Sequence, residues 1–298
     1  MRKLNFDLRN LCLNSREDSI ATQSKRIRDL DLIANQLHDL GFERLHATGL
    51  KPKHVLALVE SWKKHNVSIG TMKNRLAYIR WWANKIGKFD MLPPDNSAFG
   101  IDNREFVSNV SKAVDLVDGS LDKVSDPNIQ CSILLQQAFG LRREESLKFV
   151  PAYADKGNFI FLKGSWCKGG RSRSIPISHP HQRSVLDKAR LLAGFGSMIP
   201  PTRLFIHQLK LYENLTSRAG LFHLHGLRHK YAQKRYFDLT GCLAPADGGI
   251  TKDSVMQSND LSDEQKAAWC KVDNYARLTI SNELGHYRES VTAIYLGR

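Results

Sequence analysis

Six side chains able to handle negative charge or protons lie scattered along this chain. They are Arg142 in "GLRREES", Lys168 in "CKGGRSR", His225 and Arg228 in "FHLHGLRHKYAQKRY", His286 in "LGHYRES" and Tyr295 in "TAIYLGR". Singly, each has an ordinary explanation: a helix-surface arginine, a solvated turn lysine, a histidine ending a helix. Together they are rich in donors and short of carboxylates, which suits a phosphodiester whose transition state spreads negative charge over its non-bridging oxygens. Arginine forks can hold those oxygens, a tyrosine can attack without a metal, and a lysine or histidine can protonate the leaving 5′ oxygen. His225 and His229 are four apart, a spacing that can bind zinc from one helix face. Gly226 stands where that motif carries Glu, and no nearby carboxylate is an obvious third ligand, so no metal site is expected.

The charge balance agrees with a polyanionic partner. Of 298 residues, 44 are Lys or Arg against 30 Asp or Glu, a formal net charge of +14. Nucleic acid is the simplest such partner, because each neutralised phosphate releases a condensed counterion. An anionic membrane is the alternative, but no basic amphipathic block adjoins an apolar segment. The start "MRKLNFDLRNLCLNSRED" has no sustained apolar run. The cysteines (Cys12, Cys131, Cys167, Cys242, Cys270) form no C-x-x-C pair and read as reduced thiols. A cytoplasmic, nucleoid-associated protein is expected, with no membrane partner.

These residues need a scaffold, and periodicity predicts a mainly α fold with a small antiparallel β-sheet. Residues 1–90 read as a helical domain. Ile27, Leu30, Ile33 and Leu37 recur at helical spacing before Gly41. "KPKHVLALVESWKKHN" repeats the pattern, with Pro52 near its start, and "SIGTMKNRLAYIRWWANKIGK" follows with Ser68 or Thr71 as N-cap. Tandem Trp81 and Trp82 cannot both face one core. Pro93, Pro94 and Gly100 break the period, and residues 91–120 read as an interdomain linker. Residues 121–298 form the second domain, opening with a helix capped by Asp126. Short strand-like pieces follow, "LKFVPAY", "NFIFLKG" and "RSRSIPIS", the last two flanking "SWCKGG" as a hairpin. Beyond Pro180 the chain reads helical, apart from "GFGSMIPPT" and a polar stretch at about 238–265.

Four boxes in this order resemble the tyrosine recombinase (phage integrase) family. "GLRREESLKF" is similar to the family's first box and implies a catalytic Arg142 supported by Glu145. "KGGRSRSIPI" resembles its hairpin signature and implies a catalytic Lys168. "HGLRH" matches H-x-L-R-H, giving His225 and Arg228, and "LGHYRESVTAIY" matches L-G-H…Y, giving His286 and the nucleophile Tyr295. The resemblance covers the chain from about Ser125 onward. The helical domain is similar to the family's core-binding domain only in size and character.

The resemblance implies a two-domain clamp on double-stranded DNA, a 3′-phosphotyrosine intermediate, no cofactor, and a homotetramer in the synaptic complex, with accessory DNA-bending proteins in some systems. Integration or excision of a mobile genetic element is the expected role. Lys73, Arg75, Arg80, Lys85, Arg171 and Arg173 are expected on DNA. Two readings compete: an accessory DNA-binding protein that keeps the fold without strand exchange, and a type IB topoisomerase-like relaxing enzyme. Two departures stand out. His225 and His286 are further apart than is usual, marking 238–265 as an insertion that contacts DNA or a neighbouring protomer or is an inert excursion. Only Leu296, Gly297 and Arg298 follow Tyr295, so protomer contacts are expected from another surface.

Overall fold

The computed structural model describes the chain apart from Arg16, Asp18 and Tyr287 and the side chain of Glu289. It divides into two compact units, Met1–Glu105 and Phe106–Arg298.

The first unit holds α1 (Lys3–Asn14), α2 (Ile20–Asp39), α3 (Pro52–Lys64) and α4 (Ile69–Lys85). The Ser19 and Ser68 hydroxyls accept from the Thr22 and Thr71 amides and start α2 and α4, and Pro52 opens α3. The helices bury one stripe each: Leu4 and Leu8, Ile33 and Leu37, Leu58 and Trp62, Leu76 and Ile79. Trp82 joins that core and donates its indole N–H to the Ala47 carbonyl at 2.9 Å. Trp81, one residue earlier and turned about 100° away on the helix, instead takes the Arg26 guanidinium over its ring at 4.1 Å.

Part of the expected linker belongs to this core. Leu92, Phe99 and Ile101 are buried in it, and the boundary falls after Glu105 instead of residue 90. Arg80 pins the segment by donating to the Pro93 carbonyl at 2.9 and 3.1 Å and to Asn96 at 2.8 Å. Its Nε and Nη2 are thus engaged within its own unit, and Nη1 makes none of these bonds.

The second unit carries α5 (Pro127–Phe139), α6 (Arg143–Lys148), α7 (Pro151–Ala154), β1 (Phe159–Leu162), β2 (Arg173–Pro176), α8 (Pro180–Ala193), α9 (Phe205–Arg218), α10 (Gly226–Thr240), α11 (Lys252–Gln257), α12 (Asp263–Glu283) and α13 (Glu289–Leu296). Asp126 caps α5 by accepting from the Ile129 amide at 3.0 Å. β1 and β2 form an antiparallel hairpin in which Ile160 pairs with Ile175, both fully buried. "LKFVPAY" is not a strand. Leu147 lies in α6 and Pro151 opens the single turn of α7, where its missing N–H costs nothing. The core of this unit gathers Leu135, Phe139, Phe149, Ile160, Leu186, Tyr236 and Ile280 around α10 and α12.

The rest of the expected linker is an extended strap on this unit. The Val114 amide donates to the Gly226 carbonyl at 3.2 Å, and Lys230 pairs with Asp115 at 3.0 Å. A Cβ on Gly226 would stand 2.4 Å from Val114 and 2.7 Å from the Lys112 carbonyl, so the strap's approach requires glycine there. In the expected insertion, α10 runs on to Thr240 and α12 begins at Asp263 behind a Ser262–Gln265 capping box. The Pro245–Asp247 turn between them is partly buried and packs against the end of α13.

Candidate active site

The first arginine stands at the start of α6. The Glu145 carboxylate, fully buried, accepts from the Arg142 backbone amide at 2.7 Å and from its guanidinium at 2.8 Å. Its other neighbour is Arg173 of β2, which forks onto both oxygens at 2.7 and 3.0 Å and also reaches the Glu283 carbonyl and the Cys167 sulfur. Burial works against the Glu145 charge, but hydrogen bonding to Arg173 and attraction to Arg173, Arg142 and Arg228 prevail and hold its pKa at about 2. Arg173 is thus an internal brace. Expected on DNA, it is 5% exposed and aimed inward, because the β-strand alternation that puts Ile175 in the core puts residue 173 there too.

The second arginine projects from the first turn of α10. Arg228 is 1% exposed. Its Nη1 donates to the Gly140 carbonyl and its Nη2 to the Leu284 carbonyl and towards His286 Nε2 at 3.2 Å, while its Nε donates to the Tyr295 hydroxyl at 3.3 Å. No carboxylate among the described residues touches it directly. Desolvation is the main cause that lowers its pKa, to about 10, and at neutral pH it remains a cation.

Tyr295 itself is 5% exposed and is held at three places. Its hydroxyl lies between Arg228 Nε and His286 Nε2, 3.3 Å from each. Its ring packs on His229 with centroids 4.6 Å apart, and His225 stands at 6.1 Å. Its backbone carbonyl accepts from the Gln233 amide at 3.1 Å. The three histidines are biased to the neutral form. Desolvation comes first in each, followed for His286 by Arg228 and Arg142 and for His229 by His225, giving about 3 for His286 and about 4 for His229. His225, at the solvent-facing mouth, is lowered by the same causes.

The structure therefore brings together Arg142, Glu145, His225, Arg228, His286 and Tyr295. Lys168 lies at the exposed turn of the hairpin, outside these contacts, and Arg171 is also exposed on that loop. In the first unit Lys73 bonds Asn103, Arg75 lies over the Trp62 ring, and Lys85 pairs with Glu17. Sequence reasoning missed His229 as a neighbour of the tyrosine, seeing in it only half of a zinc spacing. It also missed Gln233, whose position four residues after His229 on one helix face was the available signal.

A family model described as phage integrase, N-terminal, matches residues 1–91, and one described as integrase matches residues 105–234. The chain belongs to the tyrosine recombinase (phage integrase) family. Its members break and rejoin DNA strands, and this recombinase is an enzyme of that class. Solved structures of similar fold include XerH site-specific recombinase bound to palindromic difH substrate in a post-cleavage complex. It is 15% identical over 99% of this chain and 81% of that one, with a TM-score of 0.57. A lambda integrase tetramer bound to a Holliday junction is 14% identical over 99% and 77%, with a TM-score of 0.58. The Tn1549 transposon integrase in complex with circular intermediate DNA is 11% identical over 100% and 96%, with a TM-score of 0.55. A sequence search of curated proteins found no match. The integrase match ends at residue 234, so the assignment of His286 and Tyr295 in the recombinase rests on the L-G-H…Y motif and on the geometry around the hydroxyl. No helix among the described residues is long and apolar enough to cross a membrane.

Proposed function

We propose that this protein is a site-specific recombinase that integrates or excises a mobile genetic element, cutting duplex DNA through a covalent Tyr295 intermediate. The observation that carries this reading is the Tyr295 hydroxyl lodged between Arg228 and a neutral His286. Arg228 Nε donates to the phenol oxygen, and the one lone pair of the unprotonated His286 Nε2, 3.2 Å from Arg228 Nη2 and 3.3 Å from the hydroxyl, takes the phenol proton by turning from the first donor to the second. On attack, a Tyr295 O–P bond forms at the scissile phosphate as the P–O5′ bond breaks. The phenol proton passes to His286, and Lys168 protonates the leaving 5′ oxygen. A 5′-hydroxyl from the partner strand reverses the step, so the bond energy is conserved without ATP.

The phosphate also tunes its own attack. A phosphodiester anion against Arg142 compensates guanidinium charge that depresses His286, so the histidine becomes more basic when substrate is seated. Arg142 is the better placed of the two arginines to hold non-bridging oxygens. Arg228 already gives its Nε, one Nη1 and its Nη2 protons to the protein, leaving one N–H for phosphate. Lys168, on an exposed loop, meets the leaving oxygen only with DNA in place. Net charge +14 supports duplex binding, and the tetramer seen for lambda integrase supports four protomers in synapsis.

Incubation with a nicked suicide substrate tests the reading. Wild type should accumulate a covalent protein–DNA adduct stable to denaturant, and Tyr295→Phe should give none while binding DNA normally. An adduct that persists in Tyr295→Phe overturns the assignment.

A further inference from the structure

Gln233 holds the nucleophile from behind. Tyr295 lies in the last turn of α13, where carbonyls have no partner within the helix. Gln233 Nε2 donates to the Tyr295 carbonyl at 3.1 Å, and only an amide N–H can face that oxygen, which fixes the orientation of the amide. Its other partner is Ser111 of the strap, whose hydroxyl lies 3.0 Å from Nε2 and 3.1 Å from Oε1. Ser111 is itself anchored by the Ala113 amide at 3.2 Å. Gln233 is 3% exposed and comes from the helix that presents Arg228 to the hydroxyl and His229 to the ring.

We propose that Gln233, braced by Ser111, is a positioning residue that sets the reach of Tyr295 to the scissile phosphate. The inference rests on Tyr295 as nucleophile. Arg228, His229 and Gln233 hold three different parts of one residue from one helix, so the hydroxyl's direction is fixed only if the backbone end is fixed as well. Displacing a reacting atom by about 1 Å can slow chemistry on the order of 100-fold. Gln233 is bonded to the Tyr295 carbonyl and not to its hydroxyl, so its loss acts through the backbone of the tyrosine. The strap carries the same hold further, because Asn109 Oδ1 accepts from the Arg298 amide at 2.8 Å just beyond α13.

Single-turnover cleavage at saturating DNA tests this in the full chain, with an ordinary phosphodiester and with a 5′-bridging phosphorothiolate. The thiolate leaves without protonation and so relieves defects in leaving-group chemistry only. Gln233→Leu should cleave both substrates about 30-fold slower than wild type, with DNA affinity within about twofold. Lys168→Ala should be slow on the phosphodiester and recover on the phosphorothiolate. Ser111→Ala removes one exposed hydroxyl and should slow both substrates about threefold, with no further loss when combined with Gln233→Leu. Recovery of Gln233→Leu on the phosphorothiolate would overturn the proposal, as would wild-type cleavage by both Gln233→Leu and Ser111→Ala. If Gln233→Leu does not fold, Ser111→Ala decides alone. A wild-type protein that forms no adduct points to a different failure, that of Tyr295 as nucleophile.

Discussion

The two arginine centres of the site are built in opposite ways. Arg142 belongs to a closed circuit: Glu145 is buried between two guanidiniums and accepts from both, so its charge is matched within the protein. Arg228 is more deeply buried, yet its contacts are carbonyls, a neutral imidazole and a phenol. Burying a cation without an anion is unfavourable unless something else supplies the charge. In the first centre Glu145 and Arg173 are a framework that orients Arg142, and two guanidiniums against one carboxylate still leave Arg142 charge and donors to offer a phosphate. The second carries an open positive charge beside the Tyr295 hydroxyl, which an anion such as a phosphate, or a phenolate on Tyr295, would complete.

Substitutions should separate the two centres. The largest effect on chemistry is expected at Arg228: Arg228→Gln should slow adduct formation on the order of 1000-fold, while Tm shifts by less than about 4 °C because the unmatched cation goes too. Glu145→Gln should do the reverse, costing about 3 kcal/mol of stability in urea unfolding because Arg173 is left buried without its partner. Equal stability losses in the two variants would erase the contrast.

Acid should also tell them apart. Glu145 is depressed to about 2, so its contribution is present above the unfolded value near 4.5 and is lost as pH falls through about 2. His286 is depressed from 6.5 to about 3, so its contribution is lost across that higher window, as the unfolded chain takes up protons first. Urea midpoints against pH should therefore flatten below 4.5 in Glu145→Gln and between 6.5 and 3 in His286→Asn. The smallest effects should lie on the hairpin. Arg171→Ala should reduce the salt dependence of DNA affinity by about one counterion without lowering Tm. Arg173→Ala should lower Tm without changing that slope.

Most of this site was legible in the sequence because motif order and chemistry agreed. Arg142, His225, Arg228, His286 and Tyr295 converge although up to 153 residues separate them. The hairpin and the caps at Ser68 and Asp126 were likewise readable, being local signals. What escaped was set by distant partners. Helix α1 carries Leu4, Leu8 and Cys12 at helical spacing, but the charges between them mask the stripe. Arg173 sits in a basic run that suggests phosphate contact, and only the strand's alternation turns it inward to Glu145. Residues 106–120 show no periodicity, because the strap is held by single contacts to residues far along the chain, Gln233 and Arg298 among them. Gly226, in sequence only a mismatch to the H-E-x-x-H motif, is a place where backbone meets backbone.

The Pro245–Asp247 turn has a consequence for when order is acquired. Gly297 adopts φ +79, and a Cβ there would meet the Ala246 amide at 2.7 Å and Asn109 Oδ1 at 2.5 Å. Arg277 donates to the Gly297 carbonyl at 2.8 Å. The helix that carries Tyr295 is thus enclosed by its own chain, and the entropy of fixing it falls on folding and not on the encounter with a partner. Amides of residues 291–297 should already be slow to exchange in the free protein, with protection that rises and falls together with that of the turn.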